Sequence, residues 1–529
     1  MPKRLIVKLQ QSIAGGALII GSFFILSRIL GLIRDRLLST TFGANHVLDA
    51  YFVAFKIPDF LFNIFVLGVM SAAFVPVFIA YQKKNGNAEA MKIANPILNL
   101  IAASLSIIGL ICLIFTPQLV SLLAFGDSLE QQALIVHFMR PMLLSLFFFG
   151  ISNVLSGILH AYKQFFVYGL APIMYNLGII FGILFFVPAF GYLGLSYGVV
   201  LGSLLHLLIQ LPIVIKFGFR YRLNFSLKHP GVRQILKLMP SRSFALGLTQ
   251  LNVMVIFAIA SVLSAGEQSA WQFADNLQHF PINIFGVSLA LAVFPVFSEA
   301  LAENNVARFK QVFSENFRRI LFFIIPISII TLLLRAQIVR LIYGAGEFDW
   351  TATILTAQTL GAFALSMFAQ SLIPLFARAF FAKQDTKTPV IISAVSMIIN
   401  ILLALWFVKP YGIIGLGIAF SMSAVTEMIL LLAALRVRHG DLDDNMIITS
   451  TWKIVISSLI MGIIIQGMKY LVADYVDMQT FVGVFLQTSI AITAGTVVYI
   501  LVALRFKFNE AIAIKNKALS IFRVLKKLS

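Results

Sequence analysis

Residues 13–36 read IAGGALIIGSFFILSRILGLIRDR. From Ile13 to Ser27 no side chain is charged; Arg28, Arg34, Asp35 and Arg36 then follow within the same run. A helix of about 20 apolar residues crosses a hydrocarbon core about 30 Å thick, and a cation at its centre costs about 2.5–3.5 kcal/mol. The run follows Lys3, Arg4 and Lys8 and so imitates a signal peptide. It has no small-residue cleavage site and continues into the arginines, so we read it as a retained first membrane helix.

The pattern recurs along the chain. Of 529 residues 60% are hydrophobic and 12% charged, about half the ~25% charged residues of a soluble domain. The apolar runs predict membrane helices near 13–37, 49–80, 93–116, 132–161, 166–188, 191–217, 235–264, 268–300, 308–334, 352–381, 387–408, 412–436, 450–471 and 480–504. That makes about fourteen, each long enough to span a bilayer. Alternating ten-residue strands are missing, which argues against an outer-membrane barrel. The expected fold class is all-α and polytopic.

The net charge of +19 invites a nucleic-acid reading. Placing the N-terminus in the cytoplasm assigns 29 Lys and Arg to the cytoplasmic side, 6 to the outer side and five to helix interiors. Cytoplasmic loops of membrane proteins carry such an excess. The charge therefore reports topology, with both termini cytoplasmic, and no nucleic acid is needed as a partner. The segment 508–529 is a basic amphipathic tail, expected to lie on the anionic inner leaflet among membrane lipids.

Two stretches echo one another. Asn63-Ile64-Phe65 is followed by Phe74-Val75-Pro76-Val77-Phe78, and Asn283-Ile284-Phe285 by Val293-Phe294-Pro295-Val296-Phe297. A weaker echo pairs Ala161-Tyr162-Lys163-Gln164 with Ala382-Lys383-Gln384. An offset of six helices preserves membrane orientation, so the copies are parallel repeats, and transporters place substrate between such halves. We expect two pseudo-symmetric six-helix lobes, 1–222 and 223–440, with two further helices in 441–507.

Chemistry of other kinds is not signalled. Cys112 is the single cysteine, which rules out an intramolecular disulfide and a Cys/His metal cluster. There is no phosphate loop, no His-Glu-x-x-His and no nucleophile elbow. Asp441-Leu442-Asp443-Asp444 reads as a solvated charge run beside Arg436 and Arg438. We expect no enzyme activity, no cofactor and no metal.

Charges at membrane depth usually face a bundle interior or an aqueous cavity. Arg28 and Arg34 are six residues apart, about 9 Å along an ideal helix and about 120° around it, and Gly31 permits a bend between them. The planar fork of a guanidinium suits phosphate. Internal neutralisation is the competing reading, Arg34 with Asp35 or Asp49 and Lys56 with Asp59. In the second half Asn276 and His279 share a helical face. Glu427, with Ser423, Thr426 and Asn400 nearby, is a candidate for a coupling ion or for a structural pair with Arg436. Arg140-Pro141 and Arg242 near Pro240 mark expected helix breaks.

Several motifs carry a family resemblance. Ser27-Arg28-Ile29-Leu30-Gly31-Leu32-Ile33-Arg34-Asp35, Phe42-Gly43-Ala44, Asp49-Ala50-Tyr51-Phe52-Val53-Ala54-Phe55-Lys56-Ile57-Pro58, Ser71-Ala72-Ala73-Phe74-Val75-Pro76 and Gln384-Asp385-Thr386-Lys387-Thr388-Pro389 resemble the lipid II flippases of the MurJ (MviN) family. The resemblance implies the multidrug/oligosaccharidyl-lipid/polysaccharide exporter fold, two lobes around a cationic cavity and a polyprenyl-tail groove on 441–507. It implies lipid II as substrate, carried from the inner to the outer leaflet of the bacterial cytoplasmic membrane by alternating access, and cell-wall synthesis proteins as partners. Ser27, Arg28, Arg34, Asp35 and Asp49 match the family's helix 1–2 motif. The family often has arginines where this chain has Phe62 and Asn276, and an acid where it has His279. The expected site is therefore cationic on one side, with Asn276 and His279 opposite. Export of another polyprenyl-pyrophosphate-linked oligosaccharide, and a non-transporting scaffold for cell-wall synthesis, are the other readings. A cationic drug would call for acids in the cavity instead of arginines.

Overall fold

The computed structural model describes residues 13–67, 73–508 and 510–512. Lys3, Arg4 and Lys8, the Ser71-Ala72 pair and the tail from 513 onward lie outside the described residues. Among the described residues the secondary structure is helical throughout. The helices are α1 (Ile13–Phe42), α2 (His46–Ala54), α3 (Lys56–Phe62), α4 (Val75–Asn85), α5 (Asn87–Ile114), α6 (Thr116–Leu123), α7 (Leu129–Ala161), α8 (Phe165–Phe181), α9 (Val187–Phe190), α10 (Gly194–Leu208), α11 (Leu211–Lys216), α12 (Pro230–Ala260), α13 (Glu267–Pro281), α14 (Ser288–Ala302), α15 (Val306–Leu333), α16 (Arg335–Tyr343), α17 (Trp350–Ala364), α18 (Met367–Ala382), α19 (Lys387–His439), α20 (Asp444–Ala473) and α21 (Phe481–Arg505).

By length and apolar composition nine helical stretches among the described residues can cross a membrane, ten if α17 and α18, bent by 48°, form one broken span. Two of the stretches, Phe165–Lys216 and Lys387–His439, contain 52 and 53 residues. At 1.5 Å per residue each is about 80 Å long, far beyond one bilayer crossing. Each is divided internally. Gly412 has φ 56° and ψ −137° inside α19, a conformation open mainly to glycine. It falls at the predicted boundary between 387–408 and 412–436.

The chain forms two compact units. Unit 1 comprises Met1–Ser269 with Ala345–Phe348, and unit 2 comprises Ala270–Gly344 with Asp349–Ser529. In unit 1 the core gathers Phe74, Phe78, Ile93, Ile97, Leu155 and Ile158. In unit 2 it gathers Phe297, Phe309, Phe313, Phe322 and Phe376. The second Phe of each Phe/Val-x-Pro-Val-Phe echo is thus a buried core residue in its own unit.

The repeat also appears in backbone geometry. Asn63–Leu67 and Ile282–Val287 are both π-helical, and each contains its copy of Asn-Ile-Phe. A π turn displaces one carbonyl from the ladder. In unit 1 Asn63 Nδ2 donates to the Asp59 carbonyl at 2.8 Å, and in unit 2 Ser288 Oγ donates to the Asn283 carbonyl at 2.8 Å. The weaker echo lies just after α7 and α18, where Lys163 and Gln384 adopt φ of 56° and 60°.

Buried polar side chains satisfy the helix breaks. Where α10 gives way to α11, the His206 carbonyl accepts from Gln210 Nε2 (2.9 Å) and Ser152 Oγ (3.1 Å). Ser156 Oγ donates to Gln210 Oε1 at 2.8 Å. At the bend between α17 and α18, Ser421 Oγ donates to the Ala362 carbonyl at 2.7 Å and Ser366 Oγ to Ser421 Oγ at 2.9 Å. The breaks expected at Arg140-Pro141 and beside Pro240 do not occur, since α7 and α12 run through both positions. Membrane helices tolerate proline because neighbouring groups re-satisfy the freed carbonyl.

Candidate functional site

Arg28 and Arg34 both lie on α1, in different surroundings. Arg34 Nη2 and Nε donate to Asp35 Oδ1 at 2.7 and 3.0 Å, and its Nη1 donates to Asn176 Oδ1 at 3.2 Å. Asp35 is 2% exposed, so the ion pair is shielded from water on the carboxylate side. Of the two pairings expected for Arg34, the one with Asp35 is formed. Asn176, on α8, turns its Nδ2 to the Ser27 carbonyl and Ser27 Oγ, both at 3.4 Å, and to the Pro172 carbonyl at 3.1 Å. One amide therefore joins Ser27 and Arg34 across a helix–helix contact.

Arg28 is exposed, with its guanidinium carbon 5.2 Å from the centre of the Phe24 ring. A guanidinium over an aromatic face keeps most of its donors available. The pair thus divides into a clamped Arg34 and a presented Arg28. Asn176 was not anticipated; its signal was a lone amide in the middle of the predicted span 166–188.

Asp49, on α2, is engaged elsewhere. Its carboxylate accepts from Gly266 N–H at 2.5 Å, Ser269 N–H at 2.7 Å and Ser269 Oγ at 2.5 Å. It satisfies the free N–H groups at the start of α13, and it is 5% exposed. Lys56 is also buried, with Nζ 3.6 Å from the centre of the Phe257 ring. Phe257 belongs to α12, so this cation–π contact ties α3 to α12 within unit 1.

In unit 2, Asn276 and His279 occupy α13. His279 Nδ1 lies 3.2 Å from Asp275 Oδ1 and 2.9 Å from the Asp275 carbonyl. Gln272 Nε2 donates to Asn276 Oδ1 at 3.2 Å, and Gln278 Nε2 to Asp275 Oδ1 at 2.9 Å. Gln370 Nε2 on α18 extends the chain to Gln278 Oε1 at 2.9 Å. This is a mixed donor–acceptor surface with a carboxylate beside the imidazole. Glu427, on α19, accepts from Ser393 Oγ at 2.6 Å, while Arg436 pairs with Asp444 at 2.5 Å. No group of three or more His, Cys, Asp or Glu side chains suited to a metal occurs among the described residues. Asp443, from the acidic run, accepts from Ser314 Oγ at 2.6 Å.

The family described as "Lipid II flippase MurJ" matches residues 38–486. A lipid II flippase MurJ of Burkholderia cenocepacia is 28% identical over 80% of this chain and 83% of its own length. A probable lipid II flippase MurJ of Vibrio cholerae is 29% identical over 82% of this chain and 84% of its own. Among solved structures, a lipid II flippase MurJ in an inward closed conformation superposes with a TM-score of 0.77 at 25% identity, over 92% of this chain and 98% of the other. An inward-facing multidrug-resistance MATE transporter of the MOP superfamily superposes with a TM-score of 0.68 at 18% identity, over 81% and 99%; this likeness concerns the fold. The family match begins at Leu38, after the arginines of α1, and spans most of the chain, which belongs to the lipid II flippase MurJ family.

Proposed function

We propose that the chain carries lipid II from the inner to the outer leaflet of the cytoplasmic membrane by alternating access, with both termini in the cytoplasm. The observation that carries the site reading is the exposed Arg28 beside a clamped Arg34. Phosphate oxygens are the natural partners of a guanidinium that has left water. Arg28 takes the pyrophosphate directly; Arg34, already neutralised in part by Asp35, supplies a weaker second pull. That balance suits a carrier, which must release its cargo. Asn276 and His279 are further candidates for hydrogen bonds to the cargo, and Glu427 is the candidate for a coupled ion. The helices of 441–507 hold the polyprenyl tail.

The test is complementation of a bacterium depleted of its own flippase, with lipid II accessibility measured on the outer leaflet. Restored accessibility is expected. Normal insertion without restored accessibility would sink the lipid II reading. Phe62 and Asn276, where arginines are frequent in the family, favour a second reading as exporter of a different polyprenyl-pyrophosphate-linked oligosaccharide. A chain that fails this assay and restores export of another such glycan would establish it. A scaffold role for cell-wall proteins predicts rescue of growth by Arg28→Ala.

A further inference from the structure

The segment between α11 and α12 is not used by the transport reading. Residues 219–226 run without helical turns, and the sequence alternates: Arg220, Arg222, Asn224 and Ser226 interleave with Tyr221, Leu223, Phe225 and Leu227. The two sets part in space. The polar set lines a cavity of about 590 Å³ together with Lys92 and His229. The apolar set does not line it; both sets are exposed, with Tyr221 at 61% and Leu223 at 75%.

Two buried amides hold this strap on α5. Asn95 donates from Nδ2 to the Arg220 carbonyl at 2.9 Å and accepts from the Arg222 N–H at 2.9 Å. Asn99 Nδ2 donates to the carbonyls of Arg222 (2.8 Å) and Asn224 (3.0 Å). A side-chain amide that both donates to and accepts from one edge of an extended backbone fixes its register, and with it which side chains share a face. The cavity also reaches Asn87 and Ala88 at the start of α5, where helix N–H groups lack intrahelical partners.

The charge is one-sided. From Lys216 to Lys237 there are six Lys or Arg and no Asp or Glu. Glu89, beside the cavity, is already shared by Lys92 at 2.8 Å and His229 at 3.1 Å. Among the described residues no ion pair engages the side chains of Arg220 and Arg222, which leaves them to an outside anion. The apolar residues alternate with them along the strap, the pattern an element lying in a headgroup region requires: greasy side chains toward the acyl boundary, bases at the phosphates.

We propose that this strap is a lipid-binding element. Tyr221, Leu223, Phe225 and Leu227 dip into the adjacent leaflet, and the cavity takes the phosphodiester headgroup of an anionic phospholipid between Arg220, Arg222 and the start of α5. The charge bias assigns this face to the cytoplasm, where anionic lipids concentrate.

Native mass spectrometry of the full-length protein tests this after incubation with phosphatidylglycerol, phosphatidylcholine or inorganic phosphate. Phosphatidylglycerol is expected to be retained above phosphatidylcholine. R220Q/R222Q should weaken that retention about 30-fold, the effect of two bases at an anionic surface. K83Q/K84Q removes equal charge from the exposed last turn of α4, and should change retention less than about twofold. Equal retention by wild type and R220Q/R222Q overturns the proposal. So does an equal loss in K83Q/K84Q, or indifference to headgroup charge. Inorganic phosphate held as tightly as the lipid overturns the lipid assignment in favour of a soluble phosphate pocket.

Discussion

Arg28 and Arg34 show how far two identical side chains on one helix can diverge. Arg34 meets Asp35 and Asn176, whereas Arg28 meets the Phe24 ring and is exposed. We expect Arg28→Ala to cut outer-leaflet lipid II by at least about tenfold, the loss of one charge-assisted pair with phosphate, while protein level and thermal midpoint stay unchanged. Arg34→Ala should reduce transport as well, and it should also lower the midpoint, because it removes the charge-assisted bonds that the buried Asp35 accepts. Equal midpoints for the two variants would refute this division. Asp49 belongs to the same scale. Replacing it by Ala strands the N–H groups of Gly266 and Ser269 in a buried place, which costs about 1–3 kcal/mol. Asp49→Ala should therefore lose stability in a detergent melt; an unchanged melt would move Asp49 from fold to substrate.

At the scale of elements, helices approach through small residues and break where polar side chains wait. α8 and α10 meet through glycines: a Cβ added at Gly202 would lie 2.5 Å from the Tyr175 carbonyl oxygen. Within lipid, where tails are as apolar as leucine, close packing of small residues supplies much of the association energy. Gly202→Leu should destabilise unit 1 by about 1–3 kcal/mol through overpacking, read as a lower thermal midpoint in detergent. It should also disturb transport, because Asn176 on α8 bridges Ser27 and Arg34. The breaks obey the same economy of polar groups. Gln210, Ser152 and Ser156 take up what the end of α10 frees, and Ser421 does so at the end of α17.

For the whole molecule, acids outside the membrane helices set the pH response from opposite directions. Burial pushes the Asp127 carboxyl, in the loop before α7, up to about 6. The folded form therefore holds this proton more tightly than the unfolded chain, and stability falls as pH rises from about 4 to 6. Asp127→Asn should raise the thermal midpoint at pH 7.5 and leave it little changed at pH 4; the reverse order would be decisive against the assignment. Asp385 behaves oppositely. Burial raises its carboxyl, but the N–H of Thr388, the Thr388 hydroxyl and the Arg438 guanidinium hold it below the usual carboxylate range. Its contribution is present above the unfolded carboxylate pKa and is lost as pH falls through the folded one. Arg438→Gln should reduce that acid-side loss, the Thr388 hydrogen bonds keeping the rest, at a cost below about 1 kcal/mol near neutrality because the pair is partly exposed.

Much of this was legible in the order of residues. Apolar runs long enough for a bilayer require helices, because lipid offers backbone groups no other partner. The repeat was visible as Asn-Ile-Phe and x-Pro-Val-Phe because these residues make a π turn and a core anchor in each unit. The helix 1–2 motif singled out Arg28, Arg34 and Asp35 as candidates, and all three lie on α1. Only the tertiary structure decided how those charges are used. Asn176 lies 142 residues from Arg34, and Asp49 reaches Gly266 and Ser269 some 220 residues away. Sequence periodicity reports which face of an element is apolar; it carries no record of which distant amide or backbone N–H a buried carboxylate or guanidinium will meet. Which arginine is clamped and which is presented is therefore a property of packing.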